Sequence, residues 1–212
     1  MENRILQGII ERQKRNRFIK EIFRKSIHIC SAFVPLFLRI AYWQVIFFLI
    51  FALIAYSVCE FLRLKGHTIP VISKITEIAS RKRDENKFVL GPVTLVIGIL
   101  ITSLTLPLDY AKVGIYALSF GDGLASLVGK SIGKITIPGA KGKTVAGSLA
   151  CFFAVFVSTF VCCKNVTLSL IIALCAMFTE ALPLADFDNI LIPVVIGWLF
   201  KFLVFLQIGS IN

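Results

Sequence analysis

Carboxylates occur in this sequence within or beside apolar stretches that would otherwise be typical of membrane segments. Asp122 lies inside one such stretch, and Glu180 and Asp188 flank the short connection before the last one. Because a carboxylate at mid-bilayer costs about 2.5–3.5 kcal/mol on insertion scales, each acid indicates a site that binds metal ions or accepts protons. The alternative for Asp122 is a structural ion pair with a Lys or Arg of a neighbouring helix. The alternative for Asp188 is a helix N-cap.

Asp122 belongs to a polar stripe with i, i+3 and i+4 spacing, which places its members on one face of a helix. The stripe consists of Ser119, Asp122, Ser126 and Lys130. Small residues repeat every four positions beside it, at Ala117, Gly121, Ala125 and Gly129. Small side chains let a second helix approach closely, so we expect tight helix packing next to the acid.

Glycine and lysine alternate in the loop that follows, which contains Lys130, Lys141, Gly142, Lys143 and Thr144. The loop is not a Walker P-loop, because the required Gly five positions before Gly142 is Ile137. Glycines still expose backbone N–H groups, and a helix opening at Thr144 would direct its positive end at a phosphate. The loop therefore predicts a phosphate site; the alternative is a basic loop at the inner leaflet.

Further polar candidates lie elsewhere in the chain. Arg24, Lys25 and His28 fall within one helical turn at the first apolar stretch, where the two cations either bind phosphate or anchor the helix at the interface. Glu60 and Asn189 are additional candidates. Glu60 has Arg63 at i+3, a spacing more typical of a structural pair than of a catalytic one.

The composition determines the class of protein. Of 212 residues, 57% are hydrophobic and 17% charged, with 19 Phe and a mean hydropathy of +0.86. Soluble domains are about 45–50% apolar and about a quarter charged. The predicted fold is therefore an all-α, polytopic integral membrane helical bundle. The net charge of +11 predicts contact with anionic headgroups and phosphorylated substrates, not nucleic acid, because the charges lie between apolar spans.

Hydropathy predicts about seven spans, at 27–41, 43–62, 89–107, 111–129, 145–163, 166–183 and 188–206. The connections 1–26, 63–88 and 130–144 hold 19 of the 23 Lys and Arg, so the N-terminus is predicted to be cytoplasmic. Residues 1–26 are expected to form a basic amphipathic helix on the inner leaflet. Residues 27–212 are expected to form a single transmembrane catalytic domain with cytoplasmic loops at 63–88 and 130–144.

Two blocks of sequence, SFGDGLASLVGK at 119–130 and KGKTVAGS at 141–148, carry a family resemblance. RKSIH at 24–28, TEALP at 179–183 and DNILIP at 188–193 support it. Together they resemble the CTP-dependent lipid kinases, which include dolichol kinase, phytol kinase and CTP-dependent diacylglycerol kinase. The resemblance runs from about residue 24 to about residue 200.

The resemblance implies transfer of the γ-phosphoryl group of CTP to the hydroxyl of a membrane lipid alcohol, giving CDP and a phosphorylated lipid. The acceptor is of the diacylglycerol, phytol or polyprenol type, and the expected cofactor is Mg²⁺. Asp122, Lys143 and Glu180 are the expected catalytic residues. The expected nucleotide ligands are Arg24, Lys25, Lys130, Lys141, Gly142, Lys143 and Thr144. Asp122, Glu180 and Asp188 are the expected metal ligands, although one of these carboxylates could instead accept the hydroxyl proton.

The expected location is the cell membrane, with the active site facing the cytoplasm and the small-residue groove admitting the lipid chain. Two other functions are compatible with the same residues. A phosphatidate cytidylyltransferase would also use CTP and a divalent metal but would release pyrophosphate. An ion or metabolite transporter would also carry intramembrane acids, but it would need polar residues in the outer halves of its spans.

Overall fold

The protein is helical in the computed structural model, which describes residues 2–67, 87–140 and 142–209. The helices, in chain order, are α1 (Glu2–Cys30), α2 (Val34–Ile40), α3 (Tyr42–Leu64), α4 (Gly91–Thr105), α5 (Leu108–Tyr116), α6 (Gly123–Ile132), α7 (Val145–Cys163), α8 (Val166–Ala181) and α9 (Asp188–Gly209). A short 3-10 turn, Ser31–Phe33, joins α1 to α2, and a π-helical segment, Ala117–Asp122, joins α5 to α6. The described residues contain no β-strand, so the predicted all-helical fold is confirmed.

Three helical segments are long and apolar enough to cross a membrane: Tyr42–Leu64, Val145–Cys163 and Asp188–Gln207. The apolar helices α4 and α8 are shorter. Large side chains such as Phe47, Phe51 and Phe153 point outward and are exposed on these surfaces. Apolar surface on this scale is stable in lipid and unfavourable in water, which supports a membrane protein. The number of spans and the orientation of the N-terminus stay predictions.

The predicted span 27–41 is not one helix. It comprises the end of α1, the 3-10 turn and α2, which carries Pro35 in its first turn. Proline has no N–H to donate and is best tolerated in the first turn of a helix, so Pro35 fits the start of α2. α1 itself runs from Glu2 to Cys30 without a break, so residues 2–26 and the start of the predicted span belong to one helix. Most of the predicted loop 63–88 lies outside the described residues.

The predicted span 111–129 is continuous but not uniformly α-helical. The π-helical segment interrupts it and ends at Asp122, and α6 begins at the next residue, Gly123. π-helical turns are rare and occur mainly at functional sites, because the i→i+5 turn changes which face the following residues occupy. Ser119 and Asp122 are both buried in this segment.

The small-residue ridge on this helix packs directly on α7. A Cβ atom added at Gly121 would lie 2.8 Å from Cγ2 of Val155, and one added at Gly129 would lie 2.8 Å from Oγ1 of Thr144. The predicted close approach of a second helix is therefore confirmed. The expectation that this groove admits the lipid chain stays a prediction.

Helix α9 packs against α4, α5 and α8 and thereby determines where Asp188 lies. Gly98 of α4 faces the backbone of Asn189, and Gly114 of α5 faces the backbone of Pro193. A side chain at either glycine would collide with main-chain atoms of α9. These close contacts hold the beginning of α9 beside α4 and α5.

Candidate active site

A cavity of about 320 Å³ lies at the end of the bundle where α1, α6, α7 and the α8–α9 connection meet. This volume is within the range of small-molecule sites, about 300–1,000 Å³. Its charged lining residues are Glu21, Arg24, Lys25, Asp122, Lys130, Lys143, Glu180 and Asp188. Ser126, Gly142 and Thr144 also line it. Most of the predicted site residues are thus brought together from four separate parts of the chain.

Asp122 forms the buried inner wall of the cavity. Its Oδ2 accepts a hydrogen bond from Nζ of Lys25 and lies 3.2 Å from Nδ1 of His28. All three side chains are buried. The ion pair with Lys25 is the arrangement expected of a structural Asp, but the carboxylate also lines the cavity. Asp122 therefore has both a partner that offsets its burial and access to a bound molecule.

Lys143 lies on the opposite side of the cavity between two carboxylates. Its Nζ is 3.3 Å from Oε1 of Glu180 and 3.8 Å from Oδ2 of Asp188. The same ammonium donates to the backbone carbonyl of Glu180, near the C-terminus of α8. A cation at this position also offsets the negative end of the α8 dipole. Helices α7, α8 and α9 are therefore held together by charge at the cavity wall.

The loop 130–144, in which glycine and lysine alternate (the Gly/Lys loop), folds back on itself before α7. Ile137 N donates to Lys143 O at 2.9 Å, and Val145 N donates to Ile135 O at 3.0 Å. Gly142 has a φ of +85°, a conformation that side-chain-bearing residues rarely adopt. Thr144 caps α7 by accepting from Gly147 N at 3.2 Å, as the sequence predicts. Helix α7 therefore begins at the cavity, where the positive end of its dipole favours an anion.

Glu21 is a charged lining residue that the sequence analysis did not identify. Its Oε1 accepts from Nη2 of Arg24 at 2.5 Å, and its Oε2 accepts from Nζ of Lys130. The Glu21 side chain is buried, whereas Lys130 is about half exposed. This carboxylate thus connects α1 to the end of α6 at the mouth of the cavity.

We expect acidification to weaken this connection. Burial raises the pKa of the Glu21 carboxyl, but Arg24, Lys130 and Lys25 outweigh burial and hold that pKa below its ordinary value of 4.5. A carboxyl with a lowered pKa stabilises the fold above the unfolded-state pKa and loses this contribution as the pH falls through the folded-state pKa. The thermal stability advantage of the unmodified protein over Glu21→Gln should therefore shrink below pH 4.5.

Thermal unfolding of both proteins in detergent, measured as a function of pH, checks this expectation. Glu11→Gln is the matched control, because Glu11 lies exposed on the same helix. A stability difference between Glu21→Gln and the unmodified protein that stays constant across the pH range would contradict the expectation.

The described residues include no group of three His, Cys, Asp or Glu side chains that could hold a metal ion by themselves. Asp122, Glu180 and Asp188 therefore line one cavity without forming a three-carboxylate cluster. Mg²⁺ at nucleotide sites needs only one or two carboxylates, with phosphates and water completing its shell. Glu180 and Asp188 fit that requirement, because their carboxylates lie 3.3 Å and 3.8 Å from the same atom, Nζ of Lys143. Asp122 is engaged by Lys25 and His28 instead.

Several predicted residues lie away from the cavity. Ser119 is buried below it, 2.6 Å from the hydroxyl of Ser31, and Asn189 donates to Oγ1 of Thr94 at 3.0 Å. Both are packing contacts between helices. Lys141 lies outside the described residues.

Glu60 is fully buried near the C-terminal end of α3, away from the cavity. It accepts from Arg63 Nη2 at 2.7 Å and from Val89 N at 2.9 Å. These bonds confirm the predicted Glu60–Arg63 pair and connect α3 to the chain just before α4.

The sequence-based prediction missed two buried polar residues at the site, Glu21 and Ser148. The Ser148 hydroxyl donates to Oε2 of Glu180 at 3.2 Å. A usable signal existed for Glu21. It precedes Lys25 by four residues and His28 by seven, so it shares their face of α1. No comparable signal in the sequence marks Ser148, because its partner lies 32 residues away.

Comparison with known proteins adds three relatives. An uncharacterized protein of Methanocaldococcus jannaschii is 28% identical over 185 residues, which cover 85% of this chain and 93% of that protein. CTP-dependent diacylglycerol kinase 1 of Saccharomyces cerevisiae is 27% identical over 135 residues, 62% of this chain and 47% of the kinase. A probable chloroplastic phytol kinase of Triticum aestivum is 30% identical over 138 residues, 56% of this chain and 46% of that protein.

These matches confirm the resemblance to the CTP-dependent lipid kinases. The aligned segments span about half the length of the two named kinases and nearly all of the M. jannaschii protein. No family model matches the chain. No solved structure matches it.

Proposed function

We propose that this protein transfers the γ-phosphoryl group of CTP to the hydroxyl of a membrane lipid alcohol, giving CDP and a phosphorylated lipid. The observation that carries the proposal is the convergence of Asp122, Lys143, Glu180 and Asp188 on one cavity. Phosphoryl transfer requires positioned phosphates, charge stabilisation and a carboxylate near the attacking hydroxyl, and these residues supply all three. The choice of CTP and of a lipid alcohol is supported by the similarity to the two named kinases.

The nucleotide phosphates bind between the Gly/Lys loop and α1. Lys143 and Lys141 supply charge from the loop, Gly142 supplies its backbone N–H group, and the N-terminus of α7 supplies the positive end of a helix dipole. Arg24 and Lys130 add charge at the mouth, and Lys25 adds charge at the inner wall. Each cation contributes by electrostatic attraction that strengthens as water is excluded from the site.

Mg²⁺ bound with the nucleotide would be held by Glu180 and Asp188, and it would neutralise charge that develops on the phosphate oxygens. The charge of the cavity supports this cofactor. Among the described lining residues, four cations face four carboxylates. A triphosphate therefore gains little net attraction from the protein alone, so a divalent ion that accompanies it supplies the missing positive charge.

Asp122 accepts the proton of the lipid hydroxyl. The hydroxyl oxygen forms a bond to the γ-phosphorus, the bond from that phosphorus to the β,γ-bridging oxygen breaks, and its electron pair leaves with CDP. Lys25 and His28 hold the carboxylate in place during this step. Asp122 suits the role better than Glu180, because it is set apart from the carboxylates that flank Lys143 and lies on a predicted membrane span, where a lipid hydroxyl would arrive.

The proposal includes a topology. Residues 27–212 form one catalytic domain with about seven spans in the cell membrane, and the N-terminus and the cavity face the cytoplasm. Lys130 and Lys143 line the cavity, and both belong to the basic connections that the positive-inside rule assigns to that side. CTP reaches the cavity from the cytoplasm, and the lipid alcohol reaches it from the bilayer.

Analysis of the nucleotide product separates this activity from a cytidylyltransferase. Purified protein in lipid micelles is incubated with CTP and Mg²⁺, once with diacylglycerol and once with phosphatidate. We expect CDP to form only with the alcohol acceptor. Release of pyrophosphate with phosphatidate, without CDP, would contradict the kinase proposal and identify the alternative enzyme.

A further inference from the structure

The Glu180 carboxylate is held by two residues from one short stretch of chain. The hydroxyl of Ser148 donates to Oε2 at 3.2 Å, and Nζ of Lys143 lies 3.3 Å from Oε1. Ser148 is buried in the first turn of α7, where its N–H bonds to the carbonyl of Thr144 at 3.0 Å. The backbone of Ser148 therefore belongs to the first turn of α7, which Thr144 caps beside the cavity.

Glu180 needs this support because of where it lies. It is in the last turn of α8, which ends at Ala181, and it is buried. A carboxylate at a helix C-terminus faces the negative end of the helix dipole, and burial removes its hydration. Among the described residues, the Lys143 ammonium and the Ser148 hydroxyl offset these costs.

The two contacts differ in what happens when a nucleotide binds. Lys143 is a cation at the end of a flexible side chain, and a phosphate competes with Glu180 and Asp188 for it. The Ser148 hydroxyl is a neutral donor on a rigid helix turn and has no comparable attraction to leave Glu180. The geometry therefore leaves Ser148 as the contact that still orients the carboxylate once Lys143 is shared with phosphate.

We propose that Ser148 is a positioning residue that keeps the Glu180 carboxylate directed at its site while Lys143 binds the nucleotide phosphates. The inference rests on the proposed function, in which Glu180 binds Mg²⁺ that accompanies CTP. Ser148 acts through Glu180 and does not itself contact the nucleotide.

Calorimetric titration of CTP into purified protein in nanodiscs, at a series of Mg²⁺ concentrations and without any lipid acceptor, tests this role. A hydrogen bond to a charged group contributes enough that Ser148→Ala should raise the Mg²⁺ concentration for half-maximal CTP binding about 10-fold. Ser148→Thr, which keeps the hydroxyl, should restore the unmodified value. Ser158→Ala makes the same change on α7 at a hydroxyl that donates to Val155 O in its own helix, and it should have no effect.

The outcomes are distinct. A lower melting temperature of Ser148→Ala with unchanged Mg²⁺ dependence would show a purely structural role and overturn the inference. Equal loss in the alanine and threonine variants would also overturn it, because the hydroxyl would not be the cause. If the unmodified protein binds no CTP at any Mg²⁺ concentration, the proposed function fails and the inference fails with it.

Discussion

Asp122→Asn should lower the rate of phosphoryl transfer by about 10²- to 10⁴-fold, the range contributed by a positioned general base. Asparagine keeps the shape of the side chain but neither takes a proton nor balances the charge of Lys25. The measurement is kcat at saturating CTP and lipid alcohol, with protein that has inserted into membranes. Asp109→Asn is the matched control, because Asp109 is an exposed carboxylate in the first turn of α5, on the helix that continues to Asp122.

A loss of folding would complicate this variant, because removing one member of a buried ion pair costs about 3–5 kcal/mol. The double variant Lys25→Met/Asp122→Asn removes both charges and avoids leaving the ammonium buried alone. We expect it to be more stable than Asp122→Asn and equally inactive. Turnover near the unmodified rate in either folded variant would show that Asp122 is the structural acid of an ion pair and not the base.

Lys143→Met should raise the KM for CTP by about 10- to 100-fold, the equivalent of one lost hydrogen bond to a charged group. The KM for the lipid alcohol should change little, because the methionine fills similar volume and removes only the ammonium. Steady-state kinetics at varied CTP and saturating lipid provide the measurement. Lys134→Met is the control, because Lys134 is an exposed lysine of the same loop that does not line the cavity.

Loss of the Lys143 ammonium also removes a cation that Glu180 and Asp188 share. We therefore expect the Mg²⁺ requirement of Lys143→Met to fall or stay constant, since a divalent ion now relieves their repulsion. An unchanged KM for CTP would remove Lys143 from the nucleotide site.

Much of the site was predictable because intramembrane charge is expensive. Asp122, Glu180 and Asp188 were identified from their apolar surroundings, and the structure places all three at one cavity. The start of α7 was predicted from the apolar run that begins at residue 145, and Thr144 caps this helix. In both cases the cause is local, since burial cost and capping depend on neighbouring residues in the sequence.

Contacts between distant helices were not predictable in the same way. Lys25 and Asp122 are 97 residues apart, and Glu21 and Lys130 are 109 apart. Hydropathy identifies which segments are buried in the membrane but not which faces meet. The π-helical segment was also missed, because an i→i+5 turn leaves no signature in hydrophobic periodicity. The small-residue ridge was identified correctly, and α7 is the helix that packs on it.

Transfer of label from γ-labelled CTP into lipid is the most direct test of the proposed kinase activity. Purified protein in lipid micelles with Mg²⁺ is offered diacylglycerol, phytol and a polyprenol in parallel reactions. A second set of reactions uses γ-labelled ATP in place of γ-labelled CTP. We expect labelled phosphorylated lipid from CTP and not from ATP, with one acceptor class strongly preferred. Absence of labelled lipid with every acceptor, from protein that is folded and inserted, would contradict it.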